Sequence, residues 1–340
     1  MSSIRSCVLT LALVAWASVA VAAPPPEAAC NDWLQVPVPA ADTGHAADAC
    51  DAGLLYYGRD GSGGDRRAAR HCAYLERGSG DGIIAHRTIF GGSGILMMLY
   101  ANGEGVPRDT ALASRFACEY GGAPAEIRGR LQHLQRIADR GDTAPLDICD
   151  DITSGMMSGF CAYRDAEFAG VRRDREWARL QSDWTPAQLD AWQDLRRAAD
   201  AYAHAVAGNE IDLGGTARGA FAVGARETLE IQLLEDVQRF EQGDRPAQRA
   251  ADLASADRSL NAVYRSVRAR LQAGVAAHQY ALFGTITADG VRDSQRAWLR
   301  YREAWVAFAA TRWGDTPADA WRAWLTGSRT TALGAITGGP

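Results

Sequence analysis

The chain has 340 residues, 47% of them hydrophobic, and a formal net charge of -5 from 41 acidic residues against 36 arginines, with no lysine. That balance, with no basic stripe interleaved with aromatics, argues against nucleic acid as a partner. The length and apolar content support two domains with cores of their own, and alanine-rich segments such as "QLDAWQDLRRAADAYAHAV" point to helix.

In chain order, Arg5 precedes the apolar run "CVLTLALVAWASVAVAA", which ends in Ala20, Val21 and Ala22 ahead of three prolines. This reads as a secretory signal peptide over residues 1–22, cut after Ala22. The run is short for a membrane span of about 20 residues. Cys7 lies before it and leaves with it. The mature protein is therefore expected to be periplasmic or secreted, with no membrane association. It keeps Cys30, Cys50, Cys72, Cys118, Cys149 and Cys161, an even set that suits disulfides in an oxidising compartment. No C-x-x-C occurs and the six histidines are scattered singly, so neither a metal site nor a cofactor is expected.

Residues 23–140 carry two related stretches, "LYYGRDGSGGDRRAARHCAYLERG" (55 to 78) and "LYANGEGVPRDTALASRFACEYGGAPAE" (99 to 126). In each, a helix ending near a tyrosine meets a glycine turn, and an aspartate, Asp65 or Asp109, starts a second helix. The stretches resemble Sel-one-like repeats, relatives of the tetratricopeptide hairpin; the second copy matches closely through "YANGEGVPRD" and the first is degenerate. The resemblance implies a concave face for protein contacts. A pair of hairpins that merely extends the fold of the following domain is the other reading. Cys50 is placed on the first helix of the first hairpin and Cys72 on its second, so these two are expected to be bridged. Cys30 with Cys118 is then one assignment among the fifteen connectivities open to six cysteines.

Glycine, proline and aspartates near "ADRGDTAPLD" (138 to 147) mark a boundary. Beyond it, Thr185 before Pro186 and Thr316 before Pro317 are helix starts. Amphipathic runs place helices over about 155 to 181, 186 to 207, 217 to 241, 247 to 273, 288 to 312 and 317 to 335. The fold is expected to be all-α: helical-hairpin repeats, then a helical bundle.

Two of these helices carry polar residues on apolar faces. In "ADRSLNAVYRSVRARL" (256 to 271), Asp257 and Asn261 accompany Leu260, Tyr264, Val267 and Leu271. In "DSQRAWLRYREAWVAFAATRW" (293 to 313), Gln295, Arg302 and Arg312 recur with Trp298, Trp305 and Phe308. A carboxylate against a packed face needs a partner, and guanidinium has the right fork for it. Asp257 and Arg302 are therefore expected to meet as a buried pair, with Asn261 and Gln295 completing the network.

"ADRSLNAVYRSV", "SQRAWLRYREAW" and "LTGSRTTAL" (325 to 333) together resemble the LprI-type lysozyme-inhibitor domain, over residues 250–335. Its motif falls on Asp257, Leu260, Asn261, Tyr264, Gln295, Arg296, Trp298, Leu299, Tyr301, Arg302, Leu325, Thr326, Arg329 and Leu333. Glu303 departs from the family's usual aspartate, and Trp305 stands where many members have cysteine. The resemblance also implies a bridge between Cys149 and Cys161 in "CDDITSGMMSGFC", with Thr153 or Ser154 as a cap. A straight helix would part those sulfurs by about 18 Å, so residues 150 to 154 would have to loop back onto a helix starting near 155. Residues 149–240 read as a weaker second copy of the module, or as generic alanine-rich helix.

The resemblance implies an exported protein that binds lysozyme or another peptidoglycan hydrolase by non-covalent contact, with most motif residues serving the fold. Exposed carboxylates in "GNEIDLGGT" (Glu210, Asp212) and "WGDTPAD" (Asp315) are the candidate contact loops. A repeat-based interaction or envelope scaffold protein is the alternative. No nucleophile elbow, zinc-protease or phosphate-loop motif occurs, so an enzyme is not expected.

Overall fold

The computed structural model describes residues 26–40, 50–78, 89–141, 144–246, 250–277 and 283–337. The expected signal peptide lies outside the described residues. Among those described there are twelve α-helices and no strand.

The first six are α1 (Pro26–Trp33), α2 (Ala52–Tyr57), α3 (Arg66–Gly78), α4 (Gly92–Asn102), α5 (Thr110–Tyr120) and α6 (Pro124–Arg140). α2 with α3 and α4 with α5 form two antiparallel hairpins, stacked through α3 and α4. The aspartates work as their positions predict. Asp65 accepts the backbone N–H groups of Arg67 and Ala68, and Asp109 accepts that of Leu112, so each satisfies donors a helix start leaves open. Gly103 ends α4 at a φ of 70°, in the left-handed region that costs a residue with a Cβ, and its N–H closes on the Leu99 carbonyl. α4 is apolar all round because α3 and α5 cover it; Ile95 through Leu99 are fully buried.

Three disulfides tie this region. Cys30 to Cys118 fastens α1 to α5, Cys50 to Cys72 fastens the approach to α2 onto α3, and Cys149 to Cys161 closes the turn before the next helix. Cys50 itself precedes α2, whose cap is Asp51, instead of lying on that helix as the sequence pattern suggested. The looping back that the third bridge requires is carried by Glu126. Its carboxylate, fully buried, accepts the backbone N–H groups of Thr153 and Ser154 at 3.1 and 2.8 Å, and the Ser154 hydroxyl caps the helix that follows.

That helix, α7 (Gly155–Leu180), joins two hydrophobic cores. Cys161 belongs to the core of the hairpins, whereas Trp177 belongs to a second core built with α8 (Pro186–Asn209), α9 (Arg218–Glu241), α10 (Ala250–Ala276), α11 (Ala288–Arg312) and α12 (Ala318–Thr337). α8 and α11 run antiparallel at its centre: the Gln188 side chain donates to the Thr311 carbonyl at one end, and the Ser294 hydroxyl donates to the Ala205 carbonyl toward the other. α7 packs on α9 on one side of this pair and α10 on α12 on the other. The space between is filled by Trp177, Trp184, Trp192, Trp298, Trp305, Trp313 and Trp321 around Phe240 and Phe308. Phe240 meets Trp321 edge to face with centroids 4.9 Å apart, the arrangement that ring quadrupoles favour. No helix among the described residues is long and apolar enough to cross a membrane.

Candidate functional site

The polar residues singled out in the C-terminal half sort into a sealed network inside the bundle and an open one on its flank. Inside, α12 turns Leu325, Arg329 and Leu333 toward the core, one helical turn apart. Arg329 is withdrawn from solvent, so its charge needs a counterion. It grips Glu210 with both terminal nitrogens, at 2.8 and 2.5 Å, donates to the Tyr202 hydroxyl at 3.2 Å, and sends its Nε to the Gln295 carbonyl oxygen at 2.9 Å. Burial alone would make Arg329 easier to deprotonate, but the Glu210 fork outweighs it and holds the guanidinium more firmly protonated than usual. Burial pushes the hydroxyls of Tyr202 and Tyr301 upward, and their rings stack 5.4 Å apart beside the network.

On the flank, Arg302 stands 3.6 Å from Asp257, 2.9 Å from Glu303 and 3.5 Å from the buried Thr326 hydroxyl, while Arg322 bonds Glu303 and Asp319. The Arg322 bond, with help from Arg302, holds the Glu303 carboxyl below the usual range. The expected meeting of Asp257 and Arg302 thus takes place, but it is not buried: the Asp257 side chain is 45% exposed.

Two further expectations are corrected here. Asn261 is exposed, because at 100° per residue it turns well away from Leu260, and the packed seam of α10 runs through Leu260, Val267 and Leu271 with Tyr264 half-buried. Gln295 serves Arg329 instead of the Asp257 pair. Of the other motif positions, Trp298 and Trp305 are core, and Leu299 is exposed.

Glu210 is no contact residue: it is the buried counterion. Asp212, on the same loop, is exposed, yet its carboxylate accepts the N–H groups of Gly214 and Thr285, which staples the two loops at that end of the bundle. Those bonds hold its carboxyl below the usual range. Asp315 lies at the opposite end of the α8 and α11 pair, roughly 36 Å away by the length of a 24-residue helix. There Asp183, Asp244 and Asp315, each 73% exposed, each stand beside an arginine: Arg312 is 3.4 Å from Asp183, Arg239 3.6 Å from Asp244, and Arg245 2.6 Å from Asp315. The two candidate loops therefore belong to different surfaces.

The partners of Arg329 are what the sequence reading missed. Their signal was Arg329 itself, four residues from Leu325 and from Leu333 on a buried stripe, which demands an acid. Among the described residues no cluster of histidine, cysteine and acidic side chains is placed to hold a metal ion. No curated protein and no solved structure matches the chain. Residues 241–333, which hold α10, α11, the Arg302 network and, of the buried network, Arg329 and Gln295 but not Glu210 or Tyr202, match the family model for the lysozyme inhibitor LprI.

Proposed function

We propose that this protein is exported and binds a lysozyme-type peptidoglycan hydrolase without covalent chemistry, blocking its cleft. The observation that carries the reading is the family match over residues 241–333. Three disulfides fit an oxidising compartment outside the cytoplasm, periplasmic or extracellular. The contact surface in this reading is the end of the bundle bearing Asp183, Asp244 and Asp315, where unburied carboxylates face solvent and suit a cationic partner. Asp212 is left to its loop-stapling role. The Arg302 and Arg329 networks hold helices together and serve binding only indirectly.

A cell-wall turbidity assay with purified mature protein and lysozyme tests this. Inhibition is expected from the wild type and from Asp212→Asn, and it should fall in Asp244→Asn/Asp315→Asn with the unfolding curve unchanged. Full hydrolase activity at saturating wild-type protein would refute the reading. It would leave the second reading, a repeat-based interaction protein, which the separate core of the two hairpins favours. In that reading the hairpins are Sel-one-like repeats and the two halves of the bundle are related modules; the matching packing of α7 on α9 and α10 on α12 supports the latter.

A further inference from the structure

Where α7 and α9 begin side by side, they touch through glycine. A Cβ built on Gly159 or on Gly219 would lie 3.6 Å from the Cα of the other, and one on Gly155 would strike the Ala217 nitrogen. Larger side chains stand to one side of this contact, and an open groove of about 630 Å³ runs along it, within the size range of small-molecule sites. Met156, Phe160 and Tyr163, spaced as one stripe of a helix, make one wall, and Gly219 and Val223 line the other. Met156 and Tyr163 are 52% and 50% exposed, and with Val223 they stand outside both hydrophobic cores. The fold therefore leaves this apolar surface unused.

The charge of the groove is one-sided. Arg218 is the only charged residue of its lining. The side chain is exposed, and its one hydrogen bond among the described residues goes to the Gly215 carbonyl at 3.1 Å. At the first position of α9 the helix dipole disfavours a cation, and the first turn supplies no acid to offset it, so formation of the helix does not account for the residue. Arg218 follows Ala217, which packs on Gly155, and this fixes the cationic end of the groove. Tyr163 marks the other end, about 12 Å along α7 by the helix rise. There the charges are engaged: Glu167 accepts the Tyr163 hydroxyl, and Arg226 stands 3.4 Å from Asp200.

We propose that this groove binds a linear amphiphile with a single carboxylate, its chain laid along Met156, Phe160 and Tyr163 and its head on Arg218. A glycine floor beside one stripe of side chains makes a narrow, straight slot, and one guanidinium matches one carboxylate through a two-bond fork. The groove lies at the end of α9 away from Asp244, so the proposal stands apart from the hydrolase reading.

Calorimetric titration of the protein produced from residue 23 onward, with each amphiphile below its micelle concentration, tests it. Decanoate should bind one site at least about tenfold more tightly than decyltrimethylammonium, decyl maltoside or acetate. Arg218→Gln should weaken decanoate by about tenfold or more and leave decyl maltoside unchanged, and Met156→Asp should weaken decanoate as well. Both side chains are exposed, so the circular dichroism spectrum should not change. No decanoate binding at millimolar concentration, equal or tighter binding of the ammonium, the maltoside or acetate, or unaltered decanoate binding by Arg218→Gln would each overturn the proposal. Binding to phosphatidylglycerol vesicles with none to free decanoate would overturn it too.

Discussion

Removing the carboxylate of Glu210 should unfold the bundle more readily than removing any other acid of the C-terminal half. Glu210 and Arg329 have side chains 5% and 0% exposed, joined by a two-bond fork. In Glu210→Ala the guanidinium keeps Tyr202 and Gln295, which are neutral, so a full charge is left in a dry site. Breaking a buried pair from one side costs roughly 3 to 5 kcal/mol. With a urea slope of about 2 kcal/mol/M, that moves the unfolding midpoint down by about 2 M. Asp257→Ala breaks the analogous flank pair, where water replaces the lost partner, and should cost about 0 to 1 kcal/mol. Tryptophan fluorescence is the suitable probe, since the indoles of Trp177 through Trp321 crowd the second core. Arg329→Leu together with Glu210→Ala should lose much less than the sum of the single changes, because the residues couple directly. Equal small shifts for Glu210→Ala and Asp257→Ala, or strict additivity in the cycle, would refute the assignment of Glu210 as the counterion.

Thiol titration of the denatured, unreduced protein produced from residue 23 onward should find no free thiol, since the six cysteines among the described residues are all bridged; two or more free thiols would contradict the pairing. Gly155→Ala should destabilise by about 1 to 3 kcal/mol, because a Cβ there would lie 2.4 Å from the Ala217 nitrogen and 2.5 Å from the Thr216 carbonyl carbon, backbone that cannot yield easily; a midpoint equal to wild type would contradict that crowding. Acid should weaken the hairpin region. Burial opposes ionisation of Glu119 and Glu126, but the bonds from Arg77 and Arg115 to the first, and from Ser154, Thr153 and Ala123 to the second, hold both carboxyls below the ordinary value of 4.5. A depressed folded pKa means that their stabilisation is fully present above that value and is lost as pH falls through the folded values. In Glu126→Gln the acid-side slope of the stability curve should flatten, and an unchanged slope would count against this role.

Helix placement was legible in the sequence because its causes are local. Thr185 before Pro186, Asp109 after its glycine turn and the 3.6-residue rhythm of Trp298, Trp305 and Phe308 act within a few residues along the chain. Pairing across the bundle was not legible. The seam of α10 and the arginines of α11 were visible as anomalies. Which acid met which arginine depended on the angle at which separate helices pack, and a side chain one position off a seam points 100° away. Tertiary structure alone placed Glu210, from the end of α8, against Arg329 on α12, 119 residues on, and made one acid of a loop that reads as solvated the buried counterion of the network. It alone set Asp212 and Asp315 at opposite ends of an antiparallel pair and drew Tyr57, Phe90 and Phe168 around Arg164, because contacts between residues far apart in the chain are fixed by packing and leave no periodic trace in the sequence.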